Sequence, residues 1–196
     1  MDLLGNLSYT CFEDFYIRVE KIKNGWMELC VGNGDKRLNY SASYIGDPLN
    51  YLLAAAVSIV ENQKSSHIYN GVAYEGEYLF IVHDLEPSLV TWLFKPGNDE
   101  LALIIWEDMP TYFEEMIESG FDDIPEEIKM QDIGKDIFLA IKDSPVLFIK
   151  ALLGAIEGLT CLKRNDVEFS DSEWGHSYSL ENVELLKRWL VENDHA

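Results

Sequence analysis

Residues 14–60, DFYIRVEKIKNGWMELCVGNGDKRLNYSASYIGDPLNYLLAAAVSIV, decide the fold. Three runs, about 14 to 22, 26 to 32 and 36 to 44, are separated by Asn24-Gly25 and Asn33-Gly34. These pairs supply the positive-φ residues that tight hairpin turns require, so the spacing predicts a meander of three antiparallel strands. In the first run Phe15, Ile17 and Val19 alternate with Tyr16, Arg18 and Glu20, the period of a strand with one covered face and one wet face. The pattern then changes. Asp47-Pro48 reads as a helix start, with Asp as N-cap and Pro in the first turn, where its missing N–H costs nothing. Leu49, Leu52, Leu53, Ala56, Val57 and Val60 follow at three-four spacing and predict a helix packed on a sheet.

Beyond this unit, a second group of strands is expected near 67 to 74, 77 to 84, 88 to 94 and 100 to 107. Turns are expected at Glu75-Gly76, Glu86-Pro87 and Pro96-Gly97-Asn98-Asp99. Tyr78 to Val82 and Leu101 to Trp106 are apolar at both parities, so both faces of these strands should be covered, by helices or by a second copy in a homodimer. After Trp106 the periodicity turns helical. Tyr112, Phe113, Met116 and Ile117 form one stripe; Ile133, Ile137 and Ile141 form another. Ser144-Pro145 opens a further helix, and a last one runs from Ser179 to about Asn193. Strands first and helices afterwards predict an α+β fold: a largely antiparallel sheet built as meander, helix and second meander, with C-terminal helices packed on it. No repeat or linker interrupts residues 1–196, so a single α+β domain is expected.

A chain of 196 residues can bury about 70% of the surface its unfolded form exposes. Its apolar fraction of 47% excludes a disordered acidic tail, because such tails lack the groups that offset chain entropy. The formal charge of −20 repels nucleic acid and anionic lipid, so neither is an expected partner. Cys11, Cys30 and Cys161 are odd in number and lack a paired spacing for zinc or thiol exchange. Met1 to Leu7 shows no leader pattern, and no 18-residue apolar run occurs. Reduced thiols and a cytoplasmic location are therefore expected, with no membrane span.

The known motifs of catalysis are sparse. Gly32-Asn33-Gly34-Asp35 is the nearest approach to a phosphate loop and reads as a hairpin turn. The serine-hydrolase elbow is absent. His83-Asp84 at a strand end and Glu173-Trp174-Gly175-His176 offer side chains for a metal-dependent hydrolase using His83, His176 and nearby carboxylates. Their spacing is not that of a zinc-protease helix. A solvated or internally bonded imidazole is the simpler account of each. No cofactor or catalytic residue is assigned.

The acid is unevenly spread. Between Lys95 and Lys129 stand eleven Asp and Glu residues with no Lys or Arg among them. Asp122, Asp123, Glu126 and Glu127 surround Pro125, where a helix start rewards negative charge by about 0.3–1 kcal/mol each. Glu114 and Glu118 have no such local reward. They sit four apart on the face opposite the apolar stripe, a like-charge arrangement costing about 0.2–0.5 kcal/mol. Glu107, Asp108, Glu114, Glu115 and Glu118 are therefore the candidate partner-binding residues, meeting Lys or Arg on a basic protein. Trp92, Trp106, Tyr112 and Phe113 lie in or near this region, as core residues first and interface anchors second.

Ser43-Tyr44-Ile45-Gly46-Asp47-Pro48-Leu49, followed by Leu52-Leu53, Glu77-Tyr78 opening an apolar strand, and Ile105-Trp106-Glu107 closing another, resembles a loose group of small acidic bacterial proteins. Some of these are immunity proteins of polymorphic toxin systems. The likeness covers about residues 14 to 108 and leaves out the chain from Met109 onward. It implies a cytosolic, non-catalytic protein that blocks a basic toxin domain, often a nuclease, by presenting carboxylates in place of phosphates. A metal-dependent hydrolase and a self-assembling structural protein remain as alternatives.

Overall fold

The computed structural model describes residues 8–11, 14–23, 26–43, 48–62, 72–75, 78–85, 88–97, 99–108, 137–165 and 178–194. It forms an α+β fold with two antiparallel sheets. Strands β1 (Tyr16–Lys23), β2 (Trp26–Asn33) and β3 (Lys36–Ser43) make a three-stranded meander. Helix α1 (Pro48–Val60) follows. A five-stranded meander is then built from β4 (Val72–Glu75), β5 (Tyr78–Asp84), β6 (Leu89–Pro96), β7 (Leu101–Asp108) and β8 (Ile137–Asp143). Helices α2 (Pro145–Asn165) and α3 (Leu180–Asn193) complete the described fold.

Local chemistry explains most element boundaries. The β2–β3 turn holds Gly34 at φ +57°, a conformation that glycine adopts without steric cost. Helix α1 starts at Pro48 and ends on Asn62 at φ +50°, an amide side chain being tolerated in the left-handed region. At the start of α2, Ser144 Oγ accepts from the Val146 N–H at 3.3 Å, ahead of Pro145. Ser179 caps α3 by accepting from the Asn182 N–H at 3.2 Å, while its own N–H donates to Asn50 Oδ1 of α1 at 2.9 Å. The Asn24-Gly25, Glu75-Gly76 and Glu86-Pro87 turns, the Asp47 cap, the stripe at 112–117 and the 122–127 segment lie outside the described residues.

One expectation is corrected. Ile137 and Ile141 belong to strand β8, paired antiparallel with β7, and not to a helix; Ile133 lies outside the described residues. A spacing of four fits a strand of period 2 as well as a helix of period 3.6, and Ile137-Phe138-Leu139-Ala140-Ile141 is apolar at every position. The meanders also form separate sheets joined through a shared core, with no ladder between β3 and β4.

That core uses one face of each sheet. Ile17, Val19, Met27, Leu29, Val31, Tyr40 and Ala42 meet Leu79, Ile81, Trp92, Phe94, Leu103 and Ile105, with all three helices contributing to the same cluster. A bulge after Val19 shifts the parity of β1, which is why Ile22 and not Lys21 turns inward. The opposite parity of the five-stranded sheet, Tyr78, Phe80, Leu93, Ala102, Ile104 and Trp106, forms a second buried cluster. Both faces of the central strands are thus covered, as their apolar runs predict. At the sheet edge Thr10 pairs with Ile141 in a parallel bridge, donating its N–H to the Ala140 carbonyl and accepting from the Lys142 N–H, both at 3.0 Å. Asn33 Nδ2 holds the Cys11 carbonyl at 2.9 Å and so ties this segment to the other sheet.

The outer face of the three-stranded sheet depends on a missing side chain. Gly32 stands opposite Tyr16, and a Cβ there would lie 2.5 Å from Tyr16 Cζ. The ring lies flat across the glycine, with the Arg18 guanidinium 4.5 Å from its centroid. Gly32→Ala is expected to swing the ring aside and cost about 1 kcal/mol through the lost cation–π contact and packing. In a Tyr16→Ala background the same substitution should cost nothing, a non-additivity readable from urea unfolding midpoints.

Candidate functional site

The register of the five-stranded sheet sets acids at both ends of its strands, Glu75 and Asp143 with the neighbouring Glu100 at one end and Asp84, Glu107 and Asp108 at the other. Asp84, Leu89 and Asp108 form one cross-strand row, and His83, Val90 and Glu107 form the next. Glu107 is exposed, and its Oε1 accepts from Ser88 Oγ at 2.9 Å. Among the described residues no Lys or Arg pairs with it. The other end of the same strands differs: Glu100 pairs with Lys142 at 2.7 Å, and Lys95 lies 5.4 Å from the centroid of the Tyr78 ring. Glu100 therefore has a cation beside it, and Glu107, among the described residues, does not. Glu107 and the backbone of Asp108 lie at the end of the sheet that also holds Asp84; Glu114, Glu115 and Glu118 lie outside the described residues. Trp92 and Trp106 are core residues of the two clusters.

His83 sits in the same row as Glu107 but turns inward and is only 2% exposed. Its Nδ1 lies 2.7 Å from the Tyr40 hydroxyl of β3, and Trp92 Nε1 donates to that hydroxyl at 3.3 Å. With the indole N–H directed at the phenol oxygen, the phenol proton is available to Nδ1, which places the imidazole proton on Nε2. Burial lowers the His83 pKa to about 3, the Pro48 backbone offsetting a little of this; Nε2 has no hydrogen-bond partner among the described residues. Burial likewise pushes the Tyr40 hydroxyl far up. The arrangement is a neutral polar pin joining the two sheets. His83 is enclosed by Tyr40 and Trp92, whose rings stand 5.7 and 6.0 Å away.

Among the described residues no three His, Cys, Asp or Glu side chains gather in a metal-binding group, and His176 lies outside them. Cys11 is exposed and Cys30 is buried. Among the described residues no helix is long and apolar enough to cross a membrane. Neither the Tyr40–His83–Trp92 pin nor the Ser88–Glu107 bond is signalled by local sequence, since they join residues 19 to 52 positions apart. The alternation in β3 that turns Leu38, Tyr40 and Ala42 to one side is the only trace of the pin.

These features define an α+β protein of two antiparallel meanders, with the exposed Glu107 carboxylate at one end of the larger sheet. No protein-family model, no curated protein and no solved structure matches the chain.

Proposed function

We propose that this chain is a non-catalytic protein-binding protein that docks a basic protein through the carboxylates of Glu107, Asp108, Glu114, Glu115 and Glu118. Its sharpest form is a cytoplasmic immunity protein that neutralises a basic toxin domain. The observation that supports it is the Glu107 carboxylate, exposed and oriented by Ser88 with no cation beside it among the described residues, while Glu100 at the far end of the same strand pairs with Lys142. Carboxylates held this way stand in for phosphate oxygens opposite a partner's Lys and Arg. The surrounding charge of −20 speeds the encounter when salt is low.

Capture from the native host at low and high salt, followed by titration of the purified partner, tests this reading. The wild-type partner should elute with salt. Combined Glu107→Lys, Glu114→Lys and Glu118→Lys should weaken binding by about 10-fold or more per reversal, each tenfold being about 1.4 kcal/mol. The melting temperature should hold or rise, because three reversals lower the net charge from −20 to about −14 and with it the self-repulsion of the folded chain. Undiminished binding by the triple variant rejects the proposal.

A further inference from the structure

Helix α3 carries a stripe that is complementary to itself. Leu180 and Val191, at 69% and 74% exposure, are the exposed large hydrophobics among the described residues. Taken singly such residues need no explanation. Together with Glu184 and Lys187 they line up: at 100° per residue the four positions fall within about 60° of arc. The centre of the stripe stands about 70° round the helix from Val183 and about 130° from Leu186, the two residues that enter the core. It is also symmetric about the point between Leu185 and Leu186. Reversing the helix about that point exchanges Leu180 with Val191 and Glu184 with Lys187.

We propose that α3 is the contact surface for a second copy of this chain, the two helices packing antiparallel about a twofold axis between Leu185 and Leu186. An isologous interface requires each residue to meet its exchange partner, and this stripe satisfies the requirement in both polarity and charge. Leu180 meets Val191 of the second copy at each end. Glu184 meets Lys187 of the second copy at the centre, twice. In an antiparallel pair like flanks face each other, so Arg188 comes level with the span between Glu181 and Glu184 of the second copy. Within one chain Lys187 pairs with Glu184 only as a 3.6 Å surface contact, which is readily exchanged for the intermolecular one.

One helix pair buries less than the roughly 1,200 Å² of a standard interface, so the dimer is weak and concentration-dependent. Both copies carry −20, and added salt relieves that repulsion. This distinguishes the dimer from docking of a basic partner, which salt weakens, and the two proposals stand or fall separately.

Sedimentation equilibrium on the full chain, from micromolar to millimolar concentration, tests the proposal. The wild type should shift from monomer to dimer. Glu184→Lys alone sets lysine against lysine at both central contacts, and Lys187→Glu alone sets glutamate against glutamate. Each should weaken self-association about 10-fold or more. An equimolar mixture of the two single variants should form a one-to-one dimer, because every central contact is then opposite in sign. Leu180→Ser with Val191→Ser should also reduce the dimer while leaving the far-UV dichroism unchanged. A wild type that stays monomeric at millimolar concentration overturns the proposal, as do single variants that dimerise like the wild type or a mixture that gives no mixed dimer.

Discussion

Acidification from about pH 7 to about pH 4 should cost the wild-type protein about 3 kcal/mol of stability that a His83→Phe variant does not lose. An unfolded histidine titrates near 6.5, whereas burial among Tyr40, Trp92 and α1 lowers the native His83 to about 3. Above about pH 6.5 neither state carries the proton. Between the two values the unfolded chain binds one proton and the native state binds none, so falling pH favours unfolding by about 1.4 kcal/mol per unit. The contribution is complete above about pH 6.5 and is lost progressively as the pH approaches about 3. Because a domain holds about 5–15 kcal/mol in all, one side chain can decide its acid limit. His83→Phe keeps a ring in the seam but leaves the Tyr40 hydroxyl without its acceptor, costing about 1–3 kcal/mol at neutral pH. Carboxylate titration affects both proteins alike, so the difference between their urea unfolding curves isolates His83. Curves that run parallel from neutral to acid pH would contradict this role for the pin.

Phe148→Ala should lower stability by about 3–5 kcal/mol and the melting temperature by on the order of 10 °C. Phe148 is fully buried on α2, its ring 5.1 Å from Phe94 of β6 and 6.5 Å from Phe15 at the entry to β1. Truncation leaves a cavity where a helix meets both sheets, and neither sheet can close it without giving up its own register. Phe148→Leu retains most of the volume and should cost about 1.5 kcal/mol or less. The exposed double variant Leu180→Ser with Val191→Ser should change monomer stability little. Thermal unfolding of the three variants at concentrations below dimerisation checks the ranking. Equal losses from Phe148→Ala and Phe148→Leu would mean that the site collapses freely and that this aromatic bridge is not a structural joint.

The hairpin turn at Gly34, the two-sided apolar runs of β5 and β7 and the proline starts of α1 and α2 were all legible, because each depends on residues close together in the chain. Strand β8 was misread because isoleucines four apart satisfy both periods, and β7, the neighbour that settles the matter, lies some 30 residues upstream. The acidic stretch was legible as composition. The pairing of Glu100 was not, since Lys142 reaches it only after β8 lies beside β7.

The antiparallel α+β class, the strands up to β7, the proline starts of α1 and α2 and the surplus of acid follow from the sequence alone, since local φ/ψ preference, hydrophobic period and charge count need no knowledge of distant contacts. Tertiary structure alone decided that the meanders are two sheets, that His83 is an internal pin, and that Glu107 bonds Ser88 while Glu100 pairs with Lys142. Each of these depends on which strand packs against which, and burial, pairing and proton affinity are properties of the neighbours that folding brings together.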